Sequence, residues 1–358
     1  MISSKNGRNG YIDVIKFIFA LIIADFHFNS GVFKGGRIAV EGFFMISGYL
    51  MMCSLSRDRS NDNIAISTCK FIWKKYKSLF YFLFPSAIIG FCVCSYFRKL
   101  TPLKIFQRLG LLLFEIFPMY GTGLQGEYVV GISWYLSSML IALAILYPLT
   151  KRFRRSFTLL CCPFVVIFGY GVLAHYFGNM AVNYQYIPET IFNSGIIRGL
   201  AGCSLGCLLY EASSVVSSKE PTKVARIIFT IAEVCAFAYF IYQMCVLPKT
   251  IYDFISIVAI FIFLWIGING LSYTSYLWRF KWTKALGTIS TLIVLNHYYW
   301  NALLEKTVGA DSPKSSYFWW YILLIAISCA VVYLASIIIK LIFSRLGKIK
   351  LWKNDEVS

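Results

Sequence analysis

Two ionisable side chains, Lys16 and His27, sit in the stretch IKFIFALIIADFHF, which is otherwise apolar enough to cross a membrane. On an α-helix their spacing is three turns plus about 20°, so they share one stripe about 16 Å apart along the axis. Asp13 falls on the same stripe and Asp25 on the opposite side. A lysine at the centre of a span costs about 2.5–3.5 kcal/mol on insertion scales, so such residues usually face a protein interior or an aqueous cavity and serve a function. Histidine is the side chain suited to taking and returning a proton near neutral pH, and lysine offers a point charge to an anion.

Further residues could join them. Glu41, in GGRIAVEGFFMISGYLMM, is close in sequence to the short connection after His27, and a carboxylate there could bond a histidine nitrogen and fix its tautomer. Ser47 and Gly48 in the same stretch read as close helix packing. Lys70, Lys74 and Lys77 recur at four- and three-residue spacing and form one basic stripe. The stripe reads either as ordinary charge at a cytoplasmic loop or as a clamp for an anionic group arriving from that side. Arg198 lies a few residues inside a later apolar stretch and His297 in the middle of another. Arg198 is read as functional, His297 and His175 as structural. Trp134 and Tyr135 fall where aromatic rings collect at the outer interface.

These side chains need apolar elements to hold them. At 58% hydrophobic, 18% aromatic and a mean hydropathy of +0.68, the 358 residues carry more apolar material than a soluble domain needs. An all-α integral membrane protein is predicted. Spans can be placed near 12–29, 38–55, 76–97, 133–150, 157–177, 190–210, 225–247, 251–270, 284–304 and 317–343. The stretch 103–118, with Lys104, Arg108 and Glu115, reads as an interfacial or re-entrant helix. The polar N-terminus and the lack of a small-residue cleavage site predict a retained first span rather than a signal peptide.

The net charge of +18 is explained by topology. Of the 34 Lys and Arg residues, 23 fall on the side holding the N-terminus, 56–77, 151–156, 211–226, 278–284 and the tail from Lys340; 9 fall on the other, and Lys16 and Arg198 lie within spans. Under the positive-inside rule this predicts about ten transmembrane helices with both termini cytoplasmic, and it gives no reason to invoke nucleic acid. Most of the eleven cysteines lie in spans as small apolar residues. Cys203 and Cys207 share a helix face but lack nearby histidine or carboxylate partners, so no metal is expected.

Taken in order, the motifs resemble those of acyltransferase family 3, membrane proteins that O-acylate surface glycans and related molecules. The family's first helix has a basic residue, ten residues, then histidine, similar to Lys16 and His27. Its G-V-D-L-F-F-x-x-S-G-F-L segment is matched by AVEGFFMISGYL, with Glu41 for the aspartate, and a basic-x-x-basic pair resembles Lys74 and Lys77. SWYLSSMLIALAILYP, RGLAGCSLGCLL and LGTISTLIVLNH look like its later W-x-L…L-x-P, R-x-x-x-F-x-x-G and L-G-x-x-S-x-x-x-Y-x-x-H stretches. Two departures stand out. Lysine replaces arginine at the cytoplasmic mouth, keeping charge but losing the bidentate fork. Ser137 and Ser138 follow Trp134 without the carboxylate of the W-S-L-S-x-E form, so no role resting on that acid carries over.

The resemblance implies an acyl-CoA donor, most often acetyl-CoA, on the cytoplasmic side, and an acceptor hydroxyl of an envelope glycan or lipid-linked sugar on the outer side. His27 would be the general base oriented by Glu41, while Lys16, Lys74, Lys77 and Arg198 would bind the anionic donor. The family domain would occupy 1–345 and a short basic cytoplasmic tail 346–358, with no further domain expected after the last span. A multi-pass protein of the bacterial cytoplasmic membrane is implied. The competing reading is a transporter or flippase of a glycan or lipid-linked intermediate, which would show no CoA-dependent transfer.

Overall fold

A computed structural model of the chain describes residues 9–60, 62–119, 133–180, 182, 185–188, 190, 192–216, 220–246, 250–278, 280–309 and 312–355, with side chains as far as Arg345. The charges counted above at Lys5, Arg8, Lys219, Lys249 and Arg279, and the side chains of the tail, lie outside that set. The described residues form helices α1 (Gly10–Phe28), α2 (Ala39–Arg57), α3 (Ile64–Phe97), α4 (Pro102–Ile116), α5 (Ser133–Ser156), α6 (Cys162–Phe177), α7 (Ser194–Ser214), α8 (Lys223–Val246), α9 (Asp253–Ile268), α10 (Thr283–Val308) and α11 (Phe318–Asp355). Among them the only β-pairing is one antiparallel bridge between Tyr186 and Asn193.

A helix therefore stands at each of the ten apolar stretches, with α4 as the eleventh. Five helical stretches are long and apolar enough to cross a membrane: Gly36–Arg57, Ile64–Phe97, Ser133–Phe177, Lys223–Val246 and Phe318–Arg345. Helix α9 is apolar but shorter. Helices α1, α7 and α10 fall outside the criterion, and they carry Lys16, Arg198 and His297. The polar residues that make a helix useful for chemistry are those that dilute its apolar signal.

Local chemistry sets the helix ends. Asn9, Asn63 and Asn193 cap α1, α3 and α7, each accepting from a backbone N–H two residues on. Helix α1 stops at Asn29, which adopts the left-handed region at φ 60°. The Asp25 carboxylate then accepts from Ser30 Oγ at 2.6 Å and from the Phe33 N–H at 3.0 Å, pinning the turn after His27. Near the far end of α5, Arg154 takes a non-helical φ of 43°. The chain turns back there, since Met180, just past α6, bonds Asp253 beside Arg37 at the end of the bundle where α5 began.

Packing places the site. Helix α1 packs most extensively on α10, and α2 on α7. The α2–α7 seam needs glycine: a Cβ on Gly48 would lie 2.0 Å from the Cys203 carbonyl oxygen, and one on Gly206 2.1 Å from that of Met45. Gly48 is thus the packing residue its sequence context suggested. Ser47 beside it donates to the Met139 sulfur of α5 at 3.1 Å. On the other side of α1, Phe19 is fully buried against Phe43, Phe240 and Phe263. Ser86 Oγ of α3 donates to the Leu295 carbonyl oxygen at 2.8 Å, and Tyr321 OH of α11 to that of Ala24 at 3.0 Å. These bonds hold α10 and α1 in register.

Candidate active site

The α1–α10 contact brings two histidines together. His297 Nε2 lies 3.0 Å from His27 Nδ1. His297 is fully buried, and its Nδ1 is 3.0 Å from the carbonyl oxygens of both Ile293 and Val294. A carbonyl only accepts, so Nδ1 of His297 carries the proton and its Nε2 offers a lone pair. His27 Nδ1 must then be the donor across the ring-to-ring bond. That agrees with its second neighbour, the Ile23 carbonyl oxygen at 3.0 Å. The neutral pair thereby leaves Nε2 of His27 as the nitrogen with a lone pair, the tautomer a general base requires. Asn301, one turn beyond His297, donates to the His27 carbonyl oxygen at 2.9 Å and fixes the backbone there.

His27 and His297 line a small cavity of about 40 Å³ with Ile23, Phe26, Arg37, Val40, Phe43, Trp134, Tyr135 and Val294. Arg37, 3% exposed, is anchored by Nη2 on both oxygens of Asp253, at 2.9 and 2.8 Å, and by Nη1 on the Lys34 carbonyl oxygen. Its Nε–H is buried with no hydrogen-bond partner.

Glu41 does not take the part expected of it. Its Oε1 accepts from Arg198 Nε at 2.7 Å and its Oε2 from Tyr170 OH at 2.6 Å, with all exposure lost. The reason lies in helix geometry. Val40 and Phe43 share the face of α2 that borders the histidines, and Glu41 is about 100° round from Val40, towards α7, where Gly202 leaves room for it. The partner of His27 is His297. Arg198 lies in the same buried network. Besides Glu41 it donates to the Val182 carbonyl oxygen at 2.5 Å and the Arg37 carbonyl oxygen at 3.4 Å, and its guanidinium lies 5.1 Å over the Trp134 ring. A fully buried guanidinium committed to these acceptors ties α7 to α2.

A second group of charged residues collects at the opposite ends of the same helices. A cavity of about 1070 Å³ is lined from the start of α1 (Asp13, Lys16), the end of α2 (Tyr49, Arg57), the start of α3 (Lys70, Lys74) and the ends of α5 and α7 (Tyr147, Tyr210). Lys16 and Lys74, which the family resemblance placed at one donor site, both line this cavity. Lys77 is exposed and does not line the cavity, whereas Lys70 and Arg57 do. Lys70 pairs with Asp62 at 2.8 Å on the exposed rim. Lys151 bonds Asp58 at 2.9 Å and Ser67 Oγ at 2.6 Å. That bond and the N–H of Ser60 hold the Asp58 carboxyl well below the ordinary carboxylate range. The volume is at the top of the ~300–1,000 Å³ range of small-molecule sites, and its lining mixes Lys16, Arg57, Lys70 and Lys74 with the carboxylates of Asp13, Asp58 and Asp62, besides tyrosines and serines. The two cavities share no lining residue; Ala20, Ser47 and Met139 lie between their levels on α1, α2 and α5.

A helical chain with five stretches long and apolar enough to cross a membrane, and a histidine pair between two of its helices, belongs to the class of multi-pass membrane proteins. The particular family follows from comparison with known families: an acyltransferase-domain model matches residues 9–337, and the chain belongs to acyltransferase family 3. No curated protein and no solved structure matches it.

His297 is the functional candidate that sequence reasoning set aside, and its signal was the terminal histidine of LGTISTLIVLNH. Arg37 gave no signal beyond loop charge. His175 is exposed on α6 and lines neither cavity.

Proposed function

We propose that the protein is an acyl-CoA-dependent O-acyltransferase of the bacterial cytoplasmic membrane, with ten spans and both termini cytoplasmic. It transfers an acyl group, acetyl by default, to a hydroxyl of an envelope glycan or lipid-linked sugar. The observation that carries the reading is the His297–His27 bond at one end of helices whose other ends enclose the Lys16–Lys74 cavity. The donor is a substrate, and Lys16, Lys70, Lys74 and Arg57 are the side chains suited to its phosphates.

The acceptor oxygen attacks the thioester carbonyl carbon as Nε2 of His27 takes its proton. His27 is then an imidazolium whose Nδ1–H points to the His297 lone pair, which stabilises it in the way a carboxylate does in other catalytic pairs. The C–S bond breaks, the proton passes from His27 to the leaving thiolate, and an ester and free CoA result. A positioned base of this kind contributes about 10²–10⁴-fold.

The test uses membranes carrying the parent or His27→Ala at matched levels, with radiolabelled acetyl-CoA and endogenous envelope glycans. Alkali-labile glycan label that depends on the parent and is lost in the variant supports the assignment. Equal label with both removes His27 from the mechanism. CoA-independent glycan movement with no label would favour a transporter.

A further inference from the structure

We infer that the large cavity holds an adenine subsite where α2, α7 and α9 meet: the base of the acyl-CoA donor stacks on Tyr49 and Tyr210 and gives its 6-amino group to Asn269 Oδ1. The inference rests on the proposed donor and adds where its base is read.

Three helices build the subsite. Tyr210 and Ser213 share a face of α7 and line the cavity with Tyr49 of α2 and Asn269, which directly follows α9. The amide hydrogens of Asn269 are both used. Its Nδ2 donates to the Trp265 carbonyl oxygen at 2.7 Å and to Ser213 Oγ at 2.9 Å. A carbonyl only accepts, so the amide cannot be turned over. Its Oδ1 is then left without a partner among the described residues. It is not one of the buried unpaired atoms, so it keeps access to the cavity that Asn269 lines. A lone acceptor in a cavity wall suits an exocyclic amine, and adenine carries one at position 6 where hypoxanthine carries a carbonyl oxygen.

The rings beside it are set to receive a base. Tyr49 and Tyr210 are half-buried, with centroids 5.9 Å apart and planes at 56°, an open V rather than a stack. The cavity's other aromatic pair is closed. Phe71 and Tyr147 stack on each other at 4.5 Å and 13°, and Tyr147 OH is committed to Asp58. The phosphates fall to α3. Asp58 and Asp62 are met by Lys151 and Lys70, while Lys74 has no carboxylate partner among the described residues.

The probes are adenosine 3′,5′-bisphosphate, the nucleotide end of coenzyme A, and its inosine counterpart. Each is titrated into the purified full-length parent, Tyr210→Leu, Tyr210→Phe and Asn269→Ala in detergent. The parent should bind the adenosine compound about 10-fold or more tighter than the inosine one. Tyr210→Leu should weaken both by about 10-fold or more, and Tyr210→Phe, which keeps the ring, should change little. Asn269→Ala should bind the two compounds alike; if it does not accumulate, the Tyr210 pair and the parent's preference still decide. A parent that binds both compounds equally, or neither, overturns the subsite, as does an affinity unmoved in Tyr210→Leu. Acetyl transfer from acetyl-CoA, measured on the same preparations, separates this from the function. Transfer by a parent blind to the base overturns the subsite alone, and adenine-selective binding without transfer overturns the function alone.

Discussion

At the scale of single residues, the account turns on which side chain meets His27. Glu41 is fourteen positions from it and was the natural partner in sequence; His297 is 270 positions away and was not. Sequence proximity does not report on which face of α2 a carboxylate falls once Gly48 and Gly206 have set the α2–α7 contact. His27 and Lys16 were legible because an ionisable group in a span is costly wherever it lies. The histidine pairing predicts a graded series. His297→Ala should lower kcat by about 10²-fold or more with little change in the KM for acyl-CoA, and His297→Gln, which keeps an acceptor, should restore part of it. Steady-state kinetics on both variants decides this, and equal losses in the two would mean a packing role only. The buried Glu41–Arg198 pair predicts a different outcome. Arg198→Ala leaves a buried carboxylate with only Tyr170, and should cost about 3–5 kcal/mol of stability. A thermal shift in detergent should show a marked loss, and an unchanged midpoint would contradict the ion pair.

At the scale of elements, apolar length announced the helices, and α4 as well, because lipid leaves few alternatives for a backbone that must satisfy its own hydrogen bonds. The turn within 151–156 was legible from its basic residues, although the fold makes it through a strained Arg154 rather than through a loop. What was not legible is how the helix ends are tied. Asp58, just beyond α2, is bonded by Lys151 at the far end of α5. A carboxyl held below its ordinary range adds stability that is fully present above the unfolded value and is lost as pH falls towards the folded one. The Asp58→Asn variant should therefore melt below the parent by a constant margin from neutral pH to about pH 4, and the margin should close in stronger acid. Melting curves across that range test it, and a margin already gone at mildly acidic pH would show that Lys151 does not hold the group.

At the scale of the whole molecule, the two cavities lie at opposite ends of α1, α2 and α5, and the proposed topology, with both termini cytoplasmic, would open the large one to the cytoplasm. If the large cavity binds the donor, Lys16→Glu and Lys74→Glu should each raise the KM for acyl-CoA by about 10-fold or more. Lys77→Glu, outside the cavity, should change it little. The most direct test of the central claim is sidedness. In sealed vesicles of known orientation, radiolabelled acetyl-CoA would be supplied to one face at a time and alkali-labile glycan label measured on each side. The account predicts label on the outer-facing glycan only when acetyl-CoA reaches the Lys16–Lys74 face, and none with His27→Ala. Label that follows acetyl-CoA added at the outer face would contradict it.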